Sequence, residues 1–191
     1  MDYLRGFIAW IAFAIASSFG LQWGAAAGLV FAVGVLVNEL RSGTPAEALI
    51  LDSSAALFFV ILNVLAFAVP AGPLGEYAGA LSLGWLALTA WGTIAIGRPF
   101  TTGIAKRQAP PAVWETPVFR RINVVITSAW ATSFTVTAAS VAAIHAAGLG
   151  GVAAQLVQIV GFVLPVAFTR HYVKNARAHG AAARVVTPSV R

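Results

Sequence analysis

The chain has 191 residues, 59% hydrophobic and only 9% charged, with a mean hydropathy of +0.85. A soluble domain carries about 25% charged residues, and twelve basic plus six acidic side chains cannot clothe a water-soluble core of this size. The absence of cysteine excludes disulfides and thiolate ligands, and the net charge of +6 lies between apolar runs, where lipid headgroups, not nucleic acid, are the nearer partner.

A membrane span takes about 20 apolar residues. Six segments qualify: residues 4–20, 21–40, 48–69, 77–96, 122–146 and 152–169. The first is the weakest, because it is short and ends at Ser17, Ser18 and Gly20, with Gln22 and Trp23 directly behind. Arg5 ahead of its apolar core and the Ala14-Ile15-Ala16 triplet also imitate a secretory signal. Two readings stand: a tight helical hairpin with the second span, or an interfacial or half-inserted helix ahead of five true spans.

The second span closes on Asn38, Glu39 and Arg41, a local charge network, and "RSGTPAE" turns the chain, with Thr44 placed to cap a helix that has Pro45 at its first position. The third carries Asp52 about one turn inside and Asn63 nearer the midplane. Membrane-embedded polar groups of this kind are functional candidates by default. Asp52 is expected to pair with a loop arginine, and Asn63 to bond between helices. "VPAGPLGE" makes the next turn, and the fourth span opens on Gly75-x-x-x-Gly79, with Gly84 and Gly92 beyond; Gly24-x-x-x-Gly28 is the equivalent on the second. Small residues at this spacing let helices approach closely in lipid.

The fifth span bears a stripe of Ser128, Ala131, Thr132, Thr135, Ala138, Ala139 and Ala142, which is read as a packing face or as the lining of a polar pathway. After the turn "AAGLGG", the sixth holds Gln155 and Gln158 on one face, expected to bond that stripe, and Gly161 and Pro165, able to break or kink it. From residue 174 the tail is rich in Ala and Arg and begins as a helical extension. These elements make one all-α domain over residues 1–173 and a basic cytoplasmic tail over 174–191: a polytopic helical membrane protein of six transmembrane helices, or five plus an interfacial first helix. Lys and Arg favour the cytoplasmic side. With six spans, Arg5, Arg41, the five cations of the 97–123 segment, Arg170, Lys174, Arg177, Arg184 and Arg191 all fall there, and both termini are cytoplasmic.

Chemistry is sparsely marked. His145 lies toward the outer surface and His171 and His179 at the inner one, so no pair of histidines can clamp a haem. Phosphate-loop, dinucleotide and zinc-hydrolase spacings are absent. No enzyme activity and no cofactor are expected.

The one long water-facing stretch is "GRPFTTGIAKRQAPPAVWETPVFRRIN", residues 97–123. Arg98-Pro99-Phe100 stops a span, because proline breaks the helix hydrogen bonding. Lys106 and Arg107 form a basic cluster, and Pro110 and Pro111 lead to Trp114. Arg120 and Arg121 precede Asn123. The loop, amphipathic over 97–121, is expected to lie flat on the inner surface, with Trp114 and Phe119 anchored among headgroups and the cations on lipid phosphates.

The order basic-Pro-Phe, basic cluster, Pro, Trp, then Asn123 and Trp130, resembles the bacterial intracellular septation protein A family and its uncharacterised small multi-spanning relatives. The order of spans and the Arg170-His171-Tyr172 inner end add to the likeness. The "ETPVF" stretch and the basic tail are nearer the relatives. The resemblance implies a bacterial inner-membrane protein of cell division and envelope integrity, without catalytic residues, whose partners are envelope-building membrane proteins. Two hypotheses follow. The protein acts through contacts with lipids, other membrane proteins or itself, docking by Arg98, Pro99, Phe100, Lys106, Arg107, Trp114, Arg120, Arg121 and Asn123. Alternatively it is a small oligomeric transporter or channel, or an accessory subunit, using Asp52, Asn63, Ser128, Thr132 and Thr135.

Overall fold

In a computed structural model the described residues are 6–69, 73–149 and 151–186. They form α1 (Ile8–Ala16), α2 (Leu21–Arg41), α3 (Ile50–Ala68), α4 (Leu74–Ala95), α5 (Thr101–Lys106), α6 (Pro117–Ala146) and α7 (Gly151–Val186). Single 3₁₀ turns at Ser17–Phe19, Ala46–Ala48 and Pro111–Val113 join them. Five helices, α2, α3, α4, α6 and α7, are long and apolar enough to cross a membrane. The chain is a multi-pass helical membrane protein. Its side chains are sorted accordingly: Phe19, Trp23, Val30, Phe67, Leu88, Val152 and Leu164 stand exposed on the outside of the bundle, where acyl chains would meet them.

The expected first span is shorter than the others. Nine α-helical residues and a 3₁₀ turn reach about 20 Å, against a hydrocarbon core of about 30 Å. The segment nevertheless packs into the bundle. Gly20, at φ 127°, reverses the chain, and α1 packs back along α2 with Ala9, Trp10 and Phe13 buried. A side chain on Gly24 would strike Ser17, and one on Gly28, a turn further along the same face, would strike the Phe59 ring, so these two glycines let the 3₁₀ turn after α1 and the α3 ring close on α2. The arm starts level with the far end of α2, since Gly6 and Glu39 line one cavity.

Phe7, only 1% exposed, ties the two halves of the bundle together. Its ring stacks on Trp130 at 5.1 Å and meets Phe162 edge-on at 4.8 Å. Trp10 lies 4.9 Å from both Phe58 and Phe59. An aromatic seam therefore runs from α3 through α1 to α6 and α7. Across α3 and α4 the Phe58 and Trp85 rings meet at 5.6 Å and polar bonds join them: Trp85 Nε1 donates to Ser54 Oγ at 2.9 Å, and Ser54 and Thr89 share a bond of 2.6 Å.

The last span is one unbroken helix through Pro165. Proline has no N–H, so the carbonyl four residues back, Gly161 O, loses its helix partner. Ser133 Oγ of α6 supplies one at 2.5 Å. A side chain at Gly161 would collide with Thr137, so glycine there permits the approach that makes this bond. Gly161 and Pro165, able to break or kink the helix, do not break it, and the neighbouring helix replaces the lost bond. Trp130 Nε1 donates to Thr169 Oγ1 at 3.0 Å; with Ser133 against Gly161, this sets α7 antiparallel to α6, so that the chain after Thr169 runs toward the end of the bundle where α6 begins.

Candidate functional site

That end collects the charged groups. Its base is a buried polar node: Thr101 Oγ1 lies 3.1 Å from both Asn123 O and Asn123 Oδ1 and 2.8 Å from Thr127 Oγ1, while Asn123 Nδ2 donates to Phe119 O at 2.9 Å. Asn123, Thr101 and Thr127 are all at most 1% exposed. Pro99 and Phe100 are buried beside them, and Phe100 N donates to Thr93 Oγ1 at 3.3 Å. Three residues of the expected docking set, Pro99, Phe100 and Asn123, are therefore internal and seat the loop. Phe119, expected among headgroups, is also buried, because α6 starts at Pro117, five residues before the expected span. Thr116 caps it by accepting from Phe119 N at 3.2 Å, and the helical period turns Phe119 inward.

The loop is then clasped to the α2–α3 turn. Gly103 lies against the backbone of Glu47 and Ala48, where any side chain would overlap. On either side stands an ion pair. Lys106 Nζ meets Glu47 Oε2 at 2.7 Å. Arg107 grips Glu39 with two bonds, Nη1 to Oε1 at 3.3 Å and Nη2 to Oε2 at 3.0 Å. Glu39 is 8% exposed and also accepts from Thr44 Oγ1 at 2.5 Å. Thr44 thus serves Glu39 and caps no helix; the N-cap of the 3₁₀ turn is Pro45. The Lys106 hydrogen bond and charge hold the Glu47 carboxyl below its ordinary pKa of 4.5. Trp114 folds back on the loop, its Nε1 donating to Ala109 O at 2.9 Å and its ring 5.5 Å from Lys106 Nζ.

Asp52, expected to hold a loop arginine, shares with Arg107 and Glu39 a cavity of about 20 Å³, also lined by Val35, Leu51 and Ile104. Arg107 makes its ion pair with Glu39; among the described residues no ion pair within 4 Å involves Asp52. The cavity has room for about one water.

The other intramembrane candidates do not gather. Asn63 Nδ2 donates to Ala25 O at 2.7 Å and to Phe59 O at 2.8 Å, which makes it a link between α2 and α3. Ser128 is half-buried, and Thr132 and Thr135 face outward, with Trp91 Nε1 donating to Thr135 Oγ1 at 3.2 Å. Gln158 bonds its own Ala154 O and lies against Gly79 of α4, while Gln155 is exposed. Of the stripe only Ala131 is buried; the buried hydroxyls of α6 are those of Thr127 and Thr137, which lie outside it. Ser133, which carries the helix repair, was not singled out by the pattern; a serine 28 residues from a glycine that lies four before a proline is the only trace it leaves in sequence.

Compared with protein families, curated proteins and solved structures, the chain matches none. The septation protein A resemblance accordingly rests on the residues 97–123, Trp130 and the order of spans. Within the expected docking set, geometry leaves Arg98, Arg120 and Arg121 exposed and outside both ion pairs.

Proposed function

We propose that this is a bacterial cytoplasmic-membrane protein that works by contact and not by catalysis, its charged end and both termini facing the cytoplasm, in maintenance of the envelope or division machinery. The observation that carries this reading is the clasped loop. A segment seated by Phe100 and Asn123, and held by Glu39 and Glu47, presents Arg98, Arg120 and Arg121 on a rigid support. Cations concentrated on this end also favour the cytoplasmic side.

The test is a native pull-down of the full chain in mild detergent, comparing wild type with a variant carrying Arg98→Gln, Arg120→Gln and Arg121→Gln. A stoichiometric membrane-protein partner that is lost from the variant, with helicity and monodispersity intact, is the expected result; identical partners in both would contradict it. Transport is the competing reading, supported by the Asp52 cavity alone. Ion or solute flux in proteoliposomes that disappears with Asp52→Asn would favour it instead.

A further inference from the structure

The five cations of the loop divide into two classes. Lys106 pairs with the exposed Glu47 carboxylate at 2.7 Å and Arg107 with the buried Glu39 carboxylate at 3.0 Å. Arg98, Arg120 and Arg121 are exposed, and among the described residues none has an acidic partner within 4 Å; exposed Glu115 pairs with none of them. The Arg98 charge acts on the Glu47 carboxyl from beyond ion-pair distance. Arg120 closes the first turn of α6, where the helix dipole repels positive charge, and Arg121 follows it. Arg120 Nη2 reaches back to 3.5 Å from where a side chain on Gly97 would begin, which brings it beside Arg98 at the end of α4.

Two exposed apolar side chains stand two residues ahead of Arg98 and of Arg120 in the sequence. Ile96, the C-cap of α4, is 69% exposed, and Val118, in the first turn of α6, is 67% exposed. Guanidinium forks match the oxygens of a phosphate, and two exposed apolar side chains match the hydrocarbon beneath it. A free phosphate would use only the first feature. A phospholipid uses both.

We propose that Arg98, Arg120 and Arg121, with Ile96 and Val118, form a binding site for an anionic phospholipid, the headgroup phosphate on the arginines and the glycerol end of the acyl chains on the apolar pair. This deepens the contact reading above by naming one ligand of the exposed face, and it rests on that face being free in the membrane.

The experiment titrates purified full-length protein in neutral detergent with phosphatidylglycerol, phosphatidylcholine or inorganic phosphate, reading lipid retention by native mass spectrometry and the shift in melting temperature. Wild type retains and is stabilised by phosphatidylglycerol, with a preference over phosphatidylcholine on the order of a hundred-fold for three basic residues. The Arg98→Gln, Arg120→Gln, Arg121→Gln variant loses that preference, whereas Lys174→Gln, which removes an exposed cation outside the loop, keeps it. Equal response to both lipids, an unchanged preference in the triple variant, or an equal effect of inorganic phosphate would each overturn the site. Because no other protein is present, failure here with a partner still lost from the triple variant in the pull-down would leave the contact reading standing.

Discussion

Phe7 and Ser133 show how single side chains govern this bundle. Phe7 sits outside any regular helix yet is nearly inaccessible, stacked between α6 and α7. Phe7→Ala removes an aromatic side chain that neighbouring rings cannot collapse onto, and is expected to cost about 3–5 kcal/mol, read as a lowered detergent-unfolding midpoint. Ser133→Ala orphans the Gly161 carbonyl and is expected to cost about 1–3 kcal/mol. In a Pro165→Ala background the helix can bond that carbonyl itself, so the same substitution should cost clearly less. Additivity in this double-mutant cycle would show that the serine does not compensate the proline. Glu47 gives a pH signature. Its folded pKa lies below the unfolded one, so the Lys106 link contributes above the ordinary carboxylate value and is lost as pH falls through the folded value. Wild type and Glu47→Gln should therefore differ in melting temperature at neutral pH and converge in acid. The difference should also shrink with salt, since both partners are partly exposed.

At the scale of elements, the clasp between α5 and the α2–α3 turn depends on Gly103. Gly103→Ala forces a methyl group into the Glu47 and Ala48 backbone, and overpacking of this kind costs about 1–3 kcal/mol. The expected outcome is a loop more open to proteolysis, with the five long helices retained; unchanged protease resistance would show that the clasp does not hold the loop. The long helices were legible in sequence because runs of about 20 apolar residues have few other uses. The loop was legible as a unit by its prolines and charges. Its inside and outside were not: Phe100, Phe119 and Asn123 turn inward through the register of α4 and α6, which a linear reading of aromatic and basic residues does not resolve. The short arm was ambiguous for a related reason, since its length excludes an ordinary span while its burial comes from partners on α3 and α6 far away in sequence.

For the whole molecule, alternation of antiparallel helices puts Glu39, Glu47 and the 97–123 segment at one end, toward which α7 runs after Thr169, and the α6–α7 turn at the other. Sequence charge alone anticipated that grouping, because each basic cluster follows or precedes an apolar run of one membrane thickness. The chain has no native cysteine, so single introduced cysteines report topology without interference. The most direct measurement is labelling by a membrane-impermeant maleimide of Ser42→Cys, Glu115→Cys, Lys174→Cys and Leu149→Cys variants in oriented membranes. The first three should react from one face and Leu149→Cys from the other. Labelling of Glu115→Cys and Lys174→Cys from opposite faces would contradict the arrangement on which the proposed contact surface depends.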